Sequence, residues 1–396
     1  MVIAADAIER ARALLELRRP AEAERELRGM LARQPEHPGA HSLLALALSA
    51  QGSTAEAIAE ASEGVRLAPE HWLTHYLAGQ VYCRARLADQ AIAALQASLA
   101  LSPDEASSWE LLARAHVLKA QWHQVADAAR RGLAIDPQQS GLTSLLALAL
   151  TMLGEREPAR AAAAQAVRLD PENAGAHHVY GTVALAAGDP RRAADAFREV
   201  LRLDPGFDQA RDLLVTALKQ RNPVYRVLDP LRARFRGGWW LLFLLPVAPP
   251  VIAVFVLVAV LHWAAWVTES WTTLRLARAR ATRLLFEGVE ARVAVLCCAL
   301  LVAGAALLGL GIALGSEVVA TVGVAVMALI TAVQETAHTG SPRGRAILYG
   351  WTGLLALAVA AAAPLNSMGT ALLSVYAGLA TIWVAAGVRR VLPAPA

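Results

Sequence analysis

Three histidine pairs are the first residues in this chain whose spacing could serve chemistry. His37 and His41 stand four apart, as do His71 and His75, and His177 and His178 are adjacent. Side chains four apart share one face of a helix, so a pair of this kind can offer two imidazoles to one metal ion. A zinc site needs three or four converging ligands, and no such set is visible, so no metal is expected. Each four-residue pair also spans a loop-to-helix junction, where helical spacing is not assured. Glu335 and His338, three apart, can pair at the edge of an apolar segment. The chain has no Gly-x-Ser-x-Gly elbow, no His-Glu-x-x-His pair and no clustered aspartates in its apolar segments. That leaves acyl transfer and metalloprotease chemistry without machinery. The chain therefore reads as a non-enzyme, with no catalytic residue and no cofactor. Cys83, Cys297 and Cys298 are too few and too badly placed for a disulfide framework.

What positions these residues is a repeat. Pro35, Pro69, Pro103, Pro137, Pro171 and Pro205 are spaced by 34 residues without a slip. Four residues before each Pro stands an aliphatic side chain, from Leu31 to Leu201. Twelve before it stand Ala23, Ala57, Ala91, Val125, Ala159 and Ala193. Small residues at that register imply two helices in close approach. Gly52, Gly154 and Gly188 punctuate the turn between them, where glycine adopts a positive φ at little cost. The recurring Pro should end each second helix, because it lacks the N–H that continuation needs.

From about Ala4 to Phe207 the chain resembles the tetratricopeptide-repeat family, whose unit is a helix–turn–helix of this period. The sixth unit matches best, with Gly181, Gly188, Asp189, Ala193, Phe197 and Pro205 in the family's positions. Gly79, Tyr82 and Ala91 match in the third unit and Trp109 in the fourth. The second and fifth units put Ala and Leu where the family has large aromatics. The resemblance implies an all-α solenoid over 4–221, with Asp208 to Arg221 as a helix that closes the last apolar face. It also implies a peptide-binding groove lined by the first helix of each unit, here Arg12, Tyr76, Gln80, Arg84, Glu110, Arg114, His178 and Thr182. Ser42, Leu46, Ser144 and Leu148 fall on the same lining. Arg84 and Arg114 would suit an acidic partner. His41, His75 and His177 stand where the family carries an aromatic, so packing between helices is their expected role.

Composition changes sharply near Gly237. From Pro223 onward there are 13 Arg, no Lys and 6 Asp or Glu, a net charge of 13 − 6 = +7; the whole chain is +4, so the part before is 4 − 7 = −3. The basic excess thus belongs to the apolar half, the pattern of membrane flanks rather than of a nucleic-acid surface. Four segments approach the roughly 20 residues that a bilayer demands: Val293–Leu314, Val318–Val333, Ala346–Ala363 and Ala371–Val388. After a basic linker over 222–238, a fifth run from Trp239 to Val267 is 29 residues long and broken by Pro246, Pro249 and Pro250. Arginines lie on both sides of it. A re-entrant or tight hairpin turning near Pro249–Pro250 keeps those arginines on one side. A basic helix over 271–292 would then lie along the membrane surface. Trp239, Trp240, Trp263, Trp266 and Trp271 are expected at the interface, Cys297–Cys298 as small apolar packing, and Gly311 with Gly315 as a helix-packing step.

"MVIAADAIERARALLELRR" has acidic residues where a secretion signal would be apolar, so the repeats are expected in the cytoplasm. The layout is similar to that of bacterial tetratricopeptide proteins with a polytopic tail. It implies a multi-pass protein of the inner membrane whose helical bundle tethers a scaffold for protein or peptide partners. Its other partners are membrane lipids, with no nucleic acid. The alternative is a regulatory or structural subunit of a transport or membrane-protein assembly complex. That alternative calls for ionisable lining within the spans, of which the sequence displays almost none.

Overall fold

The structure, a computed structural model, describes residues 2–228, 249–278 and 289–392. It divides into two units, 1–210 and 211–396. The first unit is six helix pairs in chain order: α1 and α2 (Val2–Glu16, Pro20–Leu31), α3 and α4 (Pro38–Gln51, Thr54–Leu67), α5 and α6 (Trp72–Arg84, Ala88–Leu101), α7 and α8 (Ala106–Leu118, Trp122–Ile135), α9 and α10 (Ser140–Met152, Arg156–Leu169), α11 and α12 (Ala174–Ala186, Pro190–Leu203). The boundary to the second unit falls within α13 (Asp208–Gln220). The seam prolines all lie in turns or at helix ends, where the missing N–H costs nothing.

Each first helix from α1 to α11 packs on its own partner, and each from α1 to α9 on the next first helix, so these helices form one continuous row. The close approach within a pair rests on the small-residue register. Ala23, Ala57, Ala91, Val125, Ala159 and Ala193 are at most 1% exposed. A second contact is matched in size. A Cβ on Gly79 would stand 2.7 Å from Leu95, and one on Gly181 would stand 2.7 Å from Phe197, so the large partner requires glycine opposite. In the second, fourth and fifth units the same facing positions are Ala45–Ala61, Ala113–Ala129 and Ala147–Ala163, all buried. Alanine on both sides therefore replaces the pairing of glycine with a large side chain.

The turn inside each pair is more regular than its glycines suggest. Positive φ occurs at Arg18, Gly52, Arg86, Ala120, Gly154 and Gly188, again one repeat apart. In each, the next residue's N–H donates back across the helix end: Arg19 to Leu14, Ser53 to Leu48, Leu87 to Tyr82, Gln121 to His116, Glu155 to Leu150 and Asp189 to Ala184, over 2.8–3.1 Å. This is the six-to-one bond of a left-handed helix terminus. Three of the six are thus held in a conformation that side chains disfavour.

The second unit contains α14 (Pro249–Arg278), α15 (Val289–Ala313), α16 (Glu317–Ala337), α17 (Pro342–Ala362) and α18 (Met368–Val391). The last four are long and apolar enough to cross a membrane. They extend past the apolar segments read from the sequence because caps and polar ends belong to the helices too. Ser316, Ser341 and Ser367 cap three of them with side-chain acceptors. α16 packs against all four others. Large side chains such as Val302, Ile312, Leu357 and Leu373 stay about 70% exposed around the outside.

Several expectations change here. The hairpin segment and the surface helix are not separate between 267 and 271: α14 runs unbroken through Val267 to Arg278. Nothing at the junction breaks a helix, since the Thr268 and Ser270 hydroxyls bond back to the carbonyls of Ala264 and Trp266. Residues 229–248 and 279–288, which include Trp239 and Trp240, lie outside the described residues. Trp266 is no interfacial anchor but fully buried, and Trp263 donates to the Met327 carbonyl of α16 at 2.8 Å. Gly315 turns the chain between α15 and α16 at φ +63°, so it does not seat a helix. The close contact is made instead by Gly304, Gly311 and Gly323, where a Cβ would stand 2.3–2.7 Å from the facing backbone.

Two measurements check this account. Arg86→Gly and Ala120→Gly should each raise stability by about 1 kcal/mol by relieving a left-handed side-chain residue, read as a higher thermal midpoint. Gly323→Leu should strip α15 from α16 and leave the protein prone to proteolysis in detergent, because backbone rather than a movable side chain occupies that space.

Candidate functional site

The groove residues expected from the sequence all lie on first helices of the repeats: one on α1, three on α5 and two each on α7 and α11. Arg12 on α1 is held by Glu9 of the same helix at 3.3 Å. On α5, Tyr76 is half-buried beside Trp72, ring centroids 6.2 Å apart, and burial raises its phenol above its usual range. Gln80 is half-buried, and Arg84 is exposed with no ion pair among the described residues. On α7, Glu110 and Arg114 bind each other at 2.6 Å, and the Glu110 carboxylate lies over Gly141 of α9. Arg114 is therefore largely neutralised, and Arg84 is left as the cation that faces outward without a carboxylate. The Cys83 thiol beside it is pushed up to about 11 by burial, which keeps it protonated and non-nucleophilic.

Toward the end of the row, His178 stacks on Phe207 at 5.1 Å and tilts against Phe197 at 6.0 Å. Its Nε2 is buried without a hydrogen-bond partner, as is the Ser144 hydroxyl one repeat earlier. Thr182 is turned inward by its own helix, donating to the His178 carbonyl at 2.9 Å. Burial lowers the His178 pKa from its ordinary 6.5.

The histidines that suggested a metal have other work. His37 and His71 accept the N–H of Ala40 and Leu73 as helix caps. Six residues after a seam proline, a ring nitrogen reaches that proline's carbonyl: His41 to Pro35 at 2.7 Å, His75 to Pro69 at 2.8 Å, Trp109 to Pro103 at 2.9 Å and His177 to Pro171 at 2.9 Å. The aromatic position of the family thus serves, at these four seams, as a latch that ties the seam to the helix after it. No group of three or more His, Cys, Asp or Glu that could hold a metal exists among the described residues.

Within the second unit lies a charged cluster that the sequence did not reveal. Glu335 of α16 is fully buried and does not pair with His338. Its Oε1 receives His262 Nε2 of α14 at 2.8 Å and Trp266 Nε1 at 3.3 Å, and its Oε2 receives Arg389 of α18 at 2.6 Å. Nearby, Lys219 binds Glu269 at 3.1 Å, both almost buried, with His338 3.9 Å from the same carboxylate. Gln334 donates to Ser270 at 2.7 Å. His262 and Glu335 are 73 positions apart in sequence, so only folding brings them together. The one signal available beforehand was a Glu within an apolar helix, costly there unless partnered.

Two outcomes test these assignments. The unfolded chain protonates His178 before the folded one does, so the repeat unit should lose stability as the pH falls below about 6.5 and His178→Phe should blunt that loss. Glu335→Ala leaves Arg389 beside a buried void and should lower stability by about 3–5 kcal/mol, read as detergent-solubilised thermal midpoints.

Comparison with known proteins bears on the first unit. The profile of the tetratricopeptide repeat matches residues 8–71 and 145–207. Among solved structures, a thermophilic tetratricopeptide protein of Thermus thermophilus is 19% identical, covering 46% of this chain and 99% of its own, with a TM-score of 0.42. Pseudomonas aeruginosa pilF is 18% identical, covering 54% and 97%, with a TM-score of 0.46. A tetratricopeptide protein from Parabacteroides merdae is 16% identical, covering 54% and 84%, with a TM-score of 0.46. No curated protein matches the chain. At such identities the likeness is one of fold. The first unit of this chain is a solenoid of tetratricopeptide repeats, and four helices of the second are apolar enough to cross a membrane.

Proposed function

We propose that this chain is a membrane-tethered scaffold that gathers protein or peptide partners along its row of first helices, on the cytoplasmic side of an inner membrane. The tetratricopeptide fold suggests a protein-interaction scaffold, and no catalytic constellation stands beside it among the described residues. The observation that carries the tether is the placement of charge on the apolar helices. α15 to α18 are joined by short links. Arg292 begins α15, Arg343 and Arg345 begin α17, and Arg389 and Arg390 end α18. The links after α15 and α17 carry no Arg or Lys. If the helices cross in alternation, every cation falls on one face, and arginine-rich ends favour the cytoplasm. On this reading Arg84 is the attachment point for a carboxylate of the partner, with Tyr76 and Gln80 beside it.

The Glu335 cluster favours a second reading, a subunit of a transport or membrane-protein assembly complex. Ionisable groups inside membrane helices commonly mark functional sites.

Reporter fusions after Arg283 and after Arg390 should both report cytoplasm; an external signal at either overturns the topology. Partner capture by the intact protein should drop at least about tenfold, roughly 1.4 kcal/mol, with Arg84→Glu. Indifference to that reversal removes the groove assignment.

A further inference from the structure

The fifth repeat lacks the latch that four others possess. Where His41, His75, Trp109 and His177 stand, it has Thr143, whose hydroxyl bonds back to the Gln139 carbonyl at 2.9 Å and makes no bond to Pro137. A cavity of about 520 Å³ opens at this place, walled by Leu133, Pro137, Thr143, Leu146, Ala162 and Gln165. Its size falls in the range, about 300–1,000 Å³, of ordinary small-molecule pockets.

The preceding repeat shows what such walls hold. Ala162 and Gln165 stand one repeat after Ala128 and Arg131. There the indole of Trp109 fills the space, with the Arg131 guanidinium 5.3 Å from its centroid and its N–H on the Pro103 carbonyl. A smaller ring fits less well. In the sixth repeat, His177 lies opposite Ala196, and a cavity of about 440 Å³ remains beside them. In the second repeat the imidazole of His41 is met by Glu60, at 2.6 Å, rather than by alanine. At the rim of the fifth-repeat cavity, Arg168 donates to Gln165 Oε1 at 3.3 Å and makes no ion pair among the described residues.

We propose that this cavity binds the indole of a tryptophan carried by an acidic segment of a partner protein. The ring N–H donates to the Pro137 carbonyl as Trp109 does to Pro103, and a neighbouring carboxylate meets Arg168. The partner supplies the ring that the repeat omits. The inference shares with the scaffold reading only the premise that the solenoid takes protein partners: Thr143 stands on α9 of the same row, but neither it nor Ala162 and Arg168 of α10 is among the groove residues that reading uses.

The test uses intact protein in lipid nanodiscs and the dipeptide N-acetyl-Asp-Trp-amide, followed by saturation-transfer NMR, with empty nanodiscs subtracted. Binding above the empty-disc signal is expected, weakened severalfold by Arg168→Glu or by replacing the peptide's Asp with Gly. Thr143→Trp, which fills the cavity from within, should weaken it more than about tenfold. Ala162→Met blocks the same space from the other wall and should act likewise, with helicity by circular dichroism confirming that either variant is folded. No signal above empty nanodiscs overturns the proposal, as does undiminished binding to a folded Thr143→Trp or Ala162→Met protein. Loss of partner capture by Arg84→Glu with dipeptide binding intact would separate this site from the groove around Arg84.

Discussion

The first unit depends on one steric constraint: two helices within each repeat must approach closely enough to exclude water. A small residue, Ala or Val, on each second helix makes this possible, with a second contact formed by Ala facing Ala in three units, by Gly facing a larger side chain in two and by Ala11 facing Leu27 in the first. Burial of apolar area is the driving force, and it is available only because each pair leaves a face for the next. The turns serve that approach. A left-handed residue reverses the chain within two or three positions, and the structure retains that geometry at Arg18, Arg86 and Ala120, where glycine is absent. A local conformational cost is accepted at half the turns because the packing they permit is worth more.

The second unit is governed by a different constraint. Four of its helices are apolar enough to cross a membrane, and for helices in that setting apolar exteriors cannot set orientation, since hydrocarbon chains are as apolar as leucine. Specific contacts must do so, and two kinds are present. Glycine contacts join α15 to α16 at backbone distance. The bonds of Glu335 tie α16 to α14 and α18, and those of Glu269 tie α14 to α13. A carboxylate buried this deeply is tolerable only with partners on both oxygens, which Arg389 and His262 provide. The cluster therefore specifies which helices meet, whatever further role it has.

Regular repetition and its exceptions carry different information. Where a ring reaches a seam proline in four repeats, the contact is structural, and it accounts for His41, His75 and His177, three of the histidines that looked like metal ligands. Where the ring is missing, at Thr143, the same scaffold leaves a space whose shape the neighbouring repeats define. An array of near-identical units thus supplies its own comparison for any position that departs.

Much of this was legible in the chain beforehand. The period of 34, the small-residue register, the seam prolines and the four apolar helices all follow from local patterning, because helix propensity, turn chemistry and hydropathy act over a few residues. Element boundaries blurred where polar residues such as Thr268 and Ser270 satisfy themselves within a helix. The left-handed turns at Arg18, Arg86 and Ala120 escaped notice because their residues carry no turn signal. The groove side chains were nameable, but not their state: nothing local shows that Glu110 neutralises Arg114 or that His178 is wedged between two rings. Glu335 was visible only as an anomaly, and its partners 73 and 54 positions away were not. Sequence periodicity determined what the elements are and how they stack. Which charges are buried together, and which cavity is left open, depended on contacts between distant residues, and those exist only once the helices have packed.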